Sequence, residues 1–326
     1  MKTTKILYFL LTASLTLASC GDDGEDIIIS HGSGSSSEAA VNSNKNTSGP
    51  AEAKYRYEFP KLKGGSSVVV VHKSILNKNT KDEGVNYCVE WDYNIHAQRW
   101  SCYQLYSSIN YHSSYNVSRY SANNDGSLSS TCQYPNDPDL PAEYRFATDP
   151  FKYSGFDHGH ICPSADRLRA TECNYQTFFI TNMQPQYMNF NGSNRDSQIN
   201  ERSPWFRLET KVRDWVALGD TLYVCKGGTI DQSDNIIKYL GSGANKIPVP
   251  KYFFVALLSK KGSTYEAIGF KMEHLSDYSS QKPLSEYAVS IDALEQWANI
   301  DFFCNLPDDI ENSVEKSYSL KKWGLQ

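Results

Sequence analysis

The stretch Tyr153–Glu209 decides how this chain is read: YSGFDHGHICPSADR (153–167), TFFITNMQPQYMNFN (177–191) and SPWFRLE (203–209). Asp157, His158, Gly159 and His160 form one tight run, and Asn182, Gln184, Gln186, Asn189 and Asn191 follow in an amide-rich segment. An imidazole titrates near neutrality, so His160 can take a proton from water at physiological pH, where a carboxylate or lysine usually cannot. Gly159 lets the backbone approach a large substrate or adopt a positive φ, which fits a strand end better than a helix interior. An asparagine carbonyl oxygen is a neutral, hard ligand suited to Mg²⁺, which keeps waters and binds substrate phosphate oxygens. A base, a lightly held cation and nearby arginines are the parts needed for phosphodiester hydrolysis. His-Gly-His by itself is ambiguous, because two histidines at i and i+2 on a strand also suit zinc ligation or simple exposure.

Downstream, Ser203-Pro204 opens a helix, with Ser as N-cap and Pro in the first turn. Trp205, Leu208, Val212 and Trp215 recur at helical spacing up to Gly219, and Trp205 and Glu209 stand one turn apart on one face. Strands are expected at 67–71, 86–92, 100–105, 221–225, 252–258 and 265–270, and a second helix at 291–298 after Ser290. Hairpins mixed with helices, without a βα repeat, predict an α+β fold with a mainly antiparallel central sheet flanked by helices. The Tyr- and Ser-rich stretch 109–138 reads as a long loop.

The N-terminus carries a targeting signature. MKTTKILYFLLTASLTLASC has Lys2 and Lys5 ahead of an apolar run too short for a permanent span, and Leu17-Ala18-Ser19-Cys20 has the form of a bacterial lipobox. The expectation is a signal peptide over 1–20, a lipidated Cys20 that anchors the mature chain to a membrane of the cell envelope, a flexible linker over 21–56, and one globular domain over 57–326. Residues 21–53 hold six acids against one lysine and the signal holds two lysines, which leaves the remaining 273 residues at −2 of the overall −5. That balance lacks the basic face of a dedicated nucleic-acid binder, whereas a hydrolase that must release its product needs only local cations. Beyond Cys20 there are seven cysteines, an odd number, so up to three disulfides with one free thiol are expected in an oxidising envelope.

The combined pattern, DHGHICPSADR, then TNMQPQ, then an asparagine five residues after Gln186, then PWFRLE, resembles the DNA/RNA non-specific endonuclease family of endonuclease G type. The resemblance covers roughly residues 57–318, through VNYCVEWDYN and RWSCYQL before the core and GDTLYVCKGGTI, IPVPKYFFVAL and DFFCNLPDDIEN after it. It implies a ββα-metal site that uses Mg²⁺, with Mn²⁺ as a substitute, to cut DNA and RNA to 5′-phosphate ends. By the same resemblance His160 is the general base, Asn191 the direct metal ligand, Asn182 a positioning residue, and Glu209 orients water around the metal from a helix. Asp157 stands at the first Asp of the family's Asp-Arg-Gly-His. His158 replaces the arginine of that motif, and it is grouped with Arg167 and Arg195 as a substrate contact.

Two further departures bear on the assignment. Trp205 comes fourteen positions after Asn191 where the family's spacing is four, so Asn200 remains a rival for the metal position. The family's transition-state arginine lies near an Asp-Pro, and Arg145, ahead of Asp149-Pro150, is the nearest match, one residue short in spacing. The competing expectation is a surface lipoprotein that retains the fold and only binds polyanions or a partner; a third is a metal phosphodiesterase for small nucleotides.

Overall fold

The computed structural model describes residues 41–106, 117–122 and 132–326. Cys20, the signal segment and most of the linker lie outside the described residues, as does much of the 109–138 loop. Alternating apolar residues generate the first hairpins: β1 (Ser67–Ile75), β2 (Glu83–Asp92) and β3 (Ala97–Leu105) pair antiparallel in sequence. A short ribbon follows, β4 (Asp157–His160) and β5 (Met183–Gln186), with α1 (Thr171–Gln176) between its strands. Then come α2 (Met188–Asn191), α3 (Ser197–Asn200) and α4 (Pro204–Trp215). The chain returns to the sheet as β6 (Thr221–Gly228), leaves it for the ribbon β7 (Ile236–Leu240) and β8 (Ile247–Pro250), and re-enters as β9 (Tyr252–Lys261), β10 (Thr264–Glu273) and β11 (Ala288–Val289). Helices α5 (Ile291–Ala298) and α6 (Asp308–Glu315) close the fold.

The main sheet has the order β1-β2-β3-β6-β9-β10-β11, and every neighbouring pair is antiparallel. Period-two alternation gives it two apolar faces. Tyr87, Val89, Trp91, Tyr103, Leu222, Val224, Phe253, Val255 and Phe270 point to one side, where Trp205, Leu208, Val212 and Trp215 of α4 cover them. Cys88, Trp100, Cys102, Cys225, Phe254 and Ala256 point to the other, under Ile291 and Leu294 of α5 and Phe302, Phe303 and Leu306. The α+β architecture, the strands and both helices therefore stand as the sequence predicts.

Two expectations are corrected. Residues 41–56 do not continue the linker: Asn42 donates to the Leu306 carbonyl at 2.8 Å, Asn44 to Glu311 at 2.8 Å, and Ala53 is buried, so the compact unit runs from Ala40 to Gln326. Cys88, Cys102, Cys162, Cys173, Cys225 and Cys304 are buried free thiols. Cys88, Cys102 and Cys225 sit opposite one another on three adjacent strands and serve as small apolar side chains in the second core.

Candidate active site

The β4-β5 ribbon carries the histidine run on the α4 side of the sheet. Its register places Asp157 opposite Gln186 and His160 opposite Met183. Gly159 is required here by close approach: a Cβ would lie 2.2 Å from Cδ of Gln186. The His160 ring meets the Phe178 ring edge-on at 4.9 Å. Its Nε2 is buried and has no hydrogen-bond partner among the described residues, while the ring bonds the backbone of its own strand at His158. The bond to His158 fixes the tautomer through Nδ1–H and leaves the Nε2 lone pair available. Burial pushes the His160 pKa well below its ordinary value, and the charges of Arg119, His158 and Lys226 push in the same direction. His160 is thus held in the neutral form that a base requires.

Asn191 ends α2, where Gly192 takes the left-handed φ of 73° that terminates the helix. Asn191 Nδ2 donates to Asp157 Oδ2 at 3.0 Å, and Ser193 Oγ donates to the same oxygen. Only the NH₂ of an amide can donate to a carboxylate, so Asp157 turns the Asn191 carbonyl oxygen outward as an uncommitted hard donor. Asn200 has no such freedom: its Oδ1 accepts from Asn194 N–H and its Nδ2 donates to the Asn194 carbonyl, both at 2.9 Å. Asn182 is fully buried and brackets Cys162 just past His160, accepting from its N–H at 2.8 Å and donating to its carbonyl at 2.9 Å.

Glu209 reaches the same region from α4. Its carboxylate bonds Lys226 Nζ at 2.7 Å, and that ammonium lies 4.2 Å over the Trp205 ring. Lys226 follows Leu222 and Val224 on the inward side of β6 and is 2% exposed. The ion pair and the aromatic face are what make so buried a lysine tolerable. The Arg119 guanidinium lies 4.8 Å over the same Phe178 ring that His160 meets, and its charge bears on both His160 and Glu209. Among the described residues no carboxylate pairs with it.

The remaining cations divide differently from the sequence expectation. Arg167 is no substrate contact: it is fully buried, its guanidinium is used up on the carbonyls of Asn86, Gln104 and Asp166, and it lies over the Tyr103 ring at 4.6 Å. Arg145 ties its own loop, donating to the carbonyls of Leu140 at 2.7 Å and Pro138 at 2.6 Å. His158 is stacked between Tyr134 at 3.7 Å and Phe151 at 4.2 Å, with Nε2 3.0 Å from Asp149, so it is a packing element and does not face substrate. Burial alone would raise the Asp149 carboxyl, but the bond and charge of His158 outweigh it and hold the pKa below its ordinary value. Arg195 is exposed on the loop between α2 and α3.

The model of the DNA/RNA non-specific endonucleases matches residues 73–309. The chain belongs to that family. A nuclease of Nostoc sp. is 33% identical over 187 residues, covering 55% of this chain and 62% of its own length. Mitochondrial endonuclease G of Caenorhabditis elegans is 25% identical over 241 residues, covering 74% of this chain and 72% of its own. The chain spans 62% and 55% of the lengths of the nucleases of Nostoc sp. and Syncephalastrum racemosum. A chain in the crystal structure of the EndoG/EndoGI complex shares the fold, with a TM-score of 0.52 at 21% identity over 68% of this chain and 84% of that one.

Two cations near His160 and Glu209, Arg119 and Lys226, escape a reading of the sequence. Arg119 sits in a stretch without periodicity, and nothing local marks it. Lys226 was detectable in principle, because a lysine in phase with Leu222 and Val224 on a buried strand demands an anionic partner. The donors fit Mg²⁺: Asn191 offers a carbonyl oxygen, Glu209 a carboxylate, and neither presents the sulfur or clustered imidazoles that softer ions favour. A second group, His72 with Asp137 and Asp139, joins β1 to the loop that carries Arg145; His72 Nε2 is 3.1 Å from buried Asp137.

Proposed function

We propose that this chain is a Mg²⁺-dependent endonuclease that hydrolyses phosphodiester bonds of DNA and RNA without sequence preference and leaves 5′-phosphate ends. The observation that carries the reading is the neutral, half-buried His160, whose buried Nε2 has no partner among the described residues. Nε2 accepts the proton of the attacking water while Nδ1–H stays on the strand carbonyl, so the ring does not turn as it gains charge. Asn191 would hold the Mg²⁺ and Glu209 would orient water around it; the ion when bound neutralises charge building on the phosphate and the leaving oxygen. Arg119 adds a cation on the His160 side of the cleft, stabilising the same charge. Lys226 keeps Glu209 oriented, and Asn182 fixes the turn that follows His160.

The net charge of the folded region supports modest affinity for polymer with an appreciable salt dependence. For the N-terminus we propose lipidation of Cys20 and tethering to the cell envelope, tested by radiolabelled palmitate incorporation that Cys20→Ala abolishes. The nuclease reading is tested with plasmid DNA and structured RNA, in Mg²⁺ and in chelator. Cleavage of both polymers that requires metal and falls by several orders of magnitude in His160→Ala is expected. Wild-type chain that binds but cuts neither polymer in Mg²⁺ or Mn²⁺ points instead to a binding protein built on the nuclease fold.

A further inference from the structure

On the sheet face opposite the histidine site, two helices aim acids at one another. Asp292 and Glu295 lie three residues apart on α5, and Glu311 and Glu315 four apart on α6, so each pair shares a helix face. Asp301, from the connection between the helices, and Asn44, from the N-terminal segment, join Glu295, Glu311 and Glu315, with Ser43, Asp308 and Asn312, in lining a cavity of about 250 Å³, beside which Asp292 stands. The carboxylate oxygens of Asp292, Glu295 and Glu315 can all lie within 4.8 Å of one another.

Ordinary partners do not account for this gathering. Among the described residues none of the five acids forms an ion pair. Lys61, the cation nearby, directs its ammonium at the carbonyls of Asn44 and Lys45. Glu315 is only 6% exposed, yet its Oε1 is buried without a hydrogen-bond partner, and Asn44 Oδ1 is in the same position. Glu295 gives one oxygen to the Phe302 N–H at 2.6 Å, and Glu311 one to Asn44 Nδ2 at 2.8 Å.

We infer that these residues form a calcium site in which Glu295, Glu311, Glu315, Asp292 and the Asn44 carbonyl oxygen surround one Ca²⁺. The donors are all oxygen, which excludes the ions that want imidazole or thiolate. Their number and their spread over two helices and a loop suit Ca²⁺, which takes six to eight oxygens in irregular geometry, rather than Mg²⁺, which demands a tight octahedron. Exposed Asp292 leaves an entry path from solvent. Because Asn44 and Ser43 already bond Glu311 and Asp308, the ion fastens the start of the folded unit to its last helices.

The test uses the full chain, stripped with chelator and dialysed against radioactive Ca²⁺ in excess Mg²⁺, with melting temperature and proteolysis of residues 41–61 followed in parallel. One Ca²⁺ per chain, a higher melting temperature and slower proteolysis are expected. Glu315→Gln should weaken Ca²⁺ by roughly tenfold or more. Without Ca²⁺ this variant should melt above wild type, since an amide relieves the carboxylate crowding, and with Ca²⁺ the order should reverse. Asn191→Ala should leave Ca²⁺ affinity unchanged. The inference falls if wild type binds no Ca²⁺ in excess Mg²⁺, if Asn191→Ala removes the binding, or if Glu315→Gln is the more stable in both conditions. Should Glu315→Gln fail to fold, dialysis of wild type and of Asn191→Ala still decides.

Discussion

Replacing Lys226 by Met removes a charge while keeping most of the side-chain volume, so it isolates the electrostatic role of this lysine. Nζ lies 2.7 Å from Glu209, and the side chains are 2% and 18% exposed. Deleting one partner of a buried pair strands the other, at about 3–5 kcal/mol. The residual exposure of Glu209 lets water recover part of that, and the ammonium over Trp205 contributes about 1 kcal/mol more, which together place Lys226→Met near ~3 kcal/mol destabilised. In Lys226→Met/Glu209→Gln no charge is left stranded, so roughly 2 kcal/mol of the loss should return. Urea unfolding measures this as a fall and partial recovery of the midpoint at constant slope. Activity should behave differently: each single variant lowers kcat, and the double variant is no worse than the poorer single one, because both act on one carboxylate. If stability losses in the double variant simply add to within about 0.5 kcal/mol, the two residues are uncoupled and the positioning role assigned to Lys226 is refuted.

The rival asparagines separate in one experiment: Asn191→Ala should lower cleavage by about 10²-fold or more with a raised metal requirement, whereas Asn200→Ala should keep its cleavage and lose about 1 kcal/mol of stability with the Asn194 clasp. Among the arginines, Arg119→Ala should reduce kcat by about 10²–10³-fold with near-normal stability, while Arg167→Ala leaves carbonyls of Asn86 and Gln104 without their donor and should unfold several kcal/mol more easily. A pH dependence should come from His274, whose Nδ1 donates to the Pro250 carbonyl at 2.8 Å and whose Nε2 accepts from Tyr187 N–H at 2.8 Å. Burial lowers its pKa to about 4 in the folded chain. Its contribution is therefore complete above pH ~6.5 and is lost as the pH falls through 4, an upper bound of about 3 kcal/mol at 1.4 kcal/mol per pH unit. Urea midpoints between pH 7 and 4 should fall less steeply in His274→Gln; an unchanged slope would remove His274 from the account.

How much of this was legible in the sequence depended on whether a residue's role was local. β6, β9 and β10 follow from alternation, and the Ser203 cap of α4 from its own tetrapeptide, with Ser203 Oγ accepting from Phe206 N–H at 3.2 Å. His160 and Asn191 could be proposed from the sequence because their residue types carry their chemistry with them. The misassigned side chains are those whose partners arrive from far along the chain. Arg167 looks available until Asn86 and Gln104 are brought over it from two strands of the sheet. His158 looks like a lost phosphate contact until Tyr134 and Phe151 close on both faces of its ring. Composition misled over the cysteines, since a buried thiol and a half-cystine are the same letter, and over residues 41–56, where polar side chains suggest a tether but Asn42, Asn44 and Asn46 are all bonded to the C-terminal region.

The longer spacing between Asn191 and Trp205 illustrates why spacing is a weaker constraint than tethering. The inserted residues fold back on themselves: Asn200 clasps Asn194 with two bonds, and Asp196 caps α3 by accepting from Gln198 N–H at 2.9 Å. The ends of the excursion are then joined. Ser203 Oγ donates to the Phe190 carbonyl at 2.6 Å, and the Phe190 ring stacks on Trp205 at 5.5 Å. Phe190 precedes Asn191 and Trp205 lies one turn before Glu209, so both residues are fixed by a junction that bypasses the insertion. Loop length adds entropy only slowly, roughly 0.6 kcal/mol per doubling, so such an excursion is cheap if its ends are pinned. The inserted loop can therefore vary in length, or present Arg195 to solvent, without moving Asn191 relative to α4.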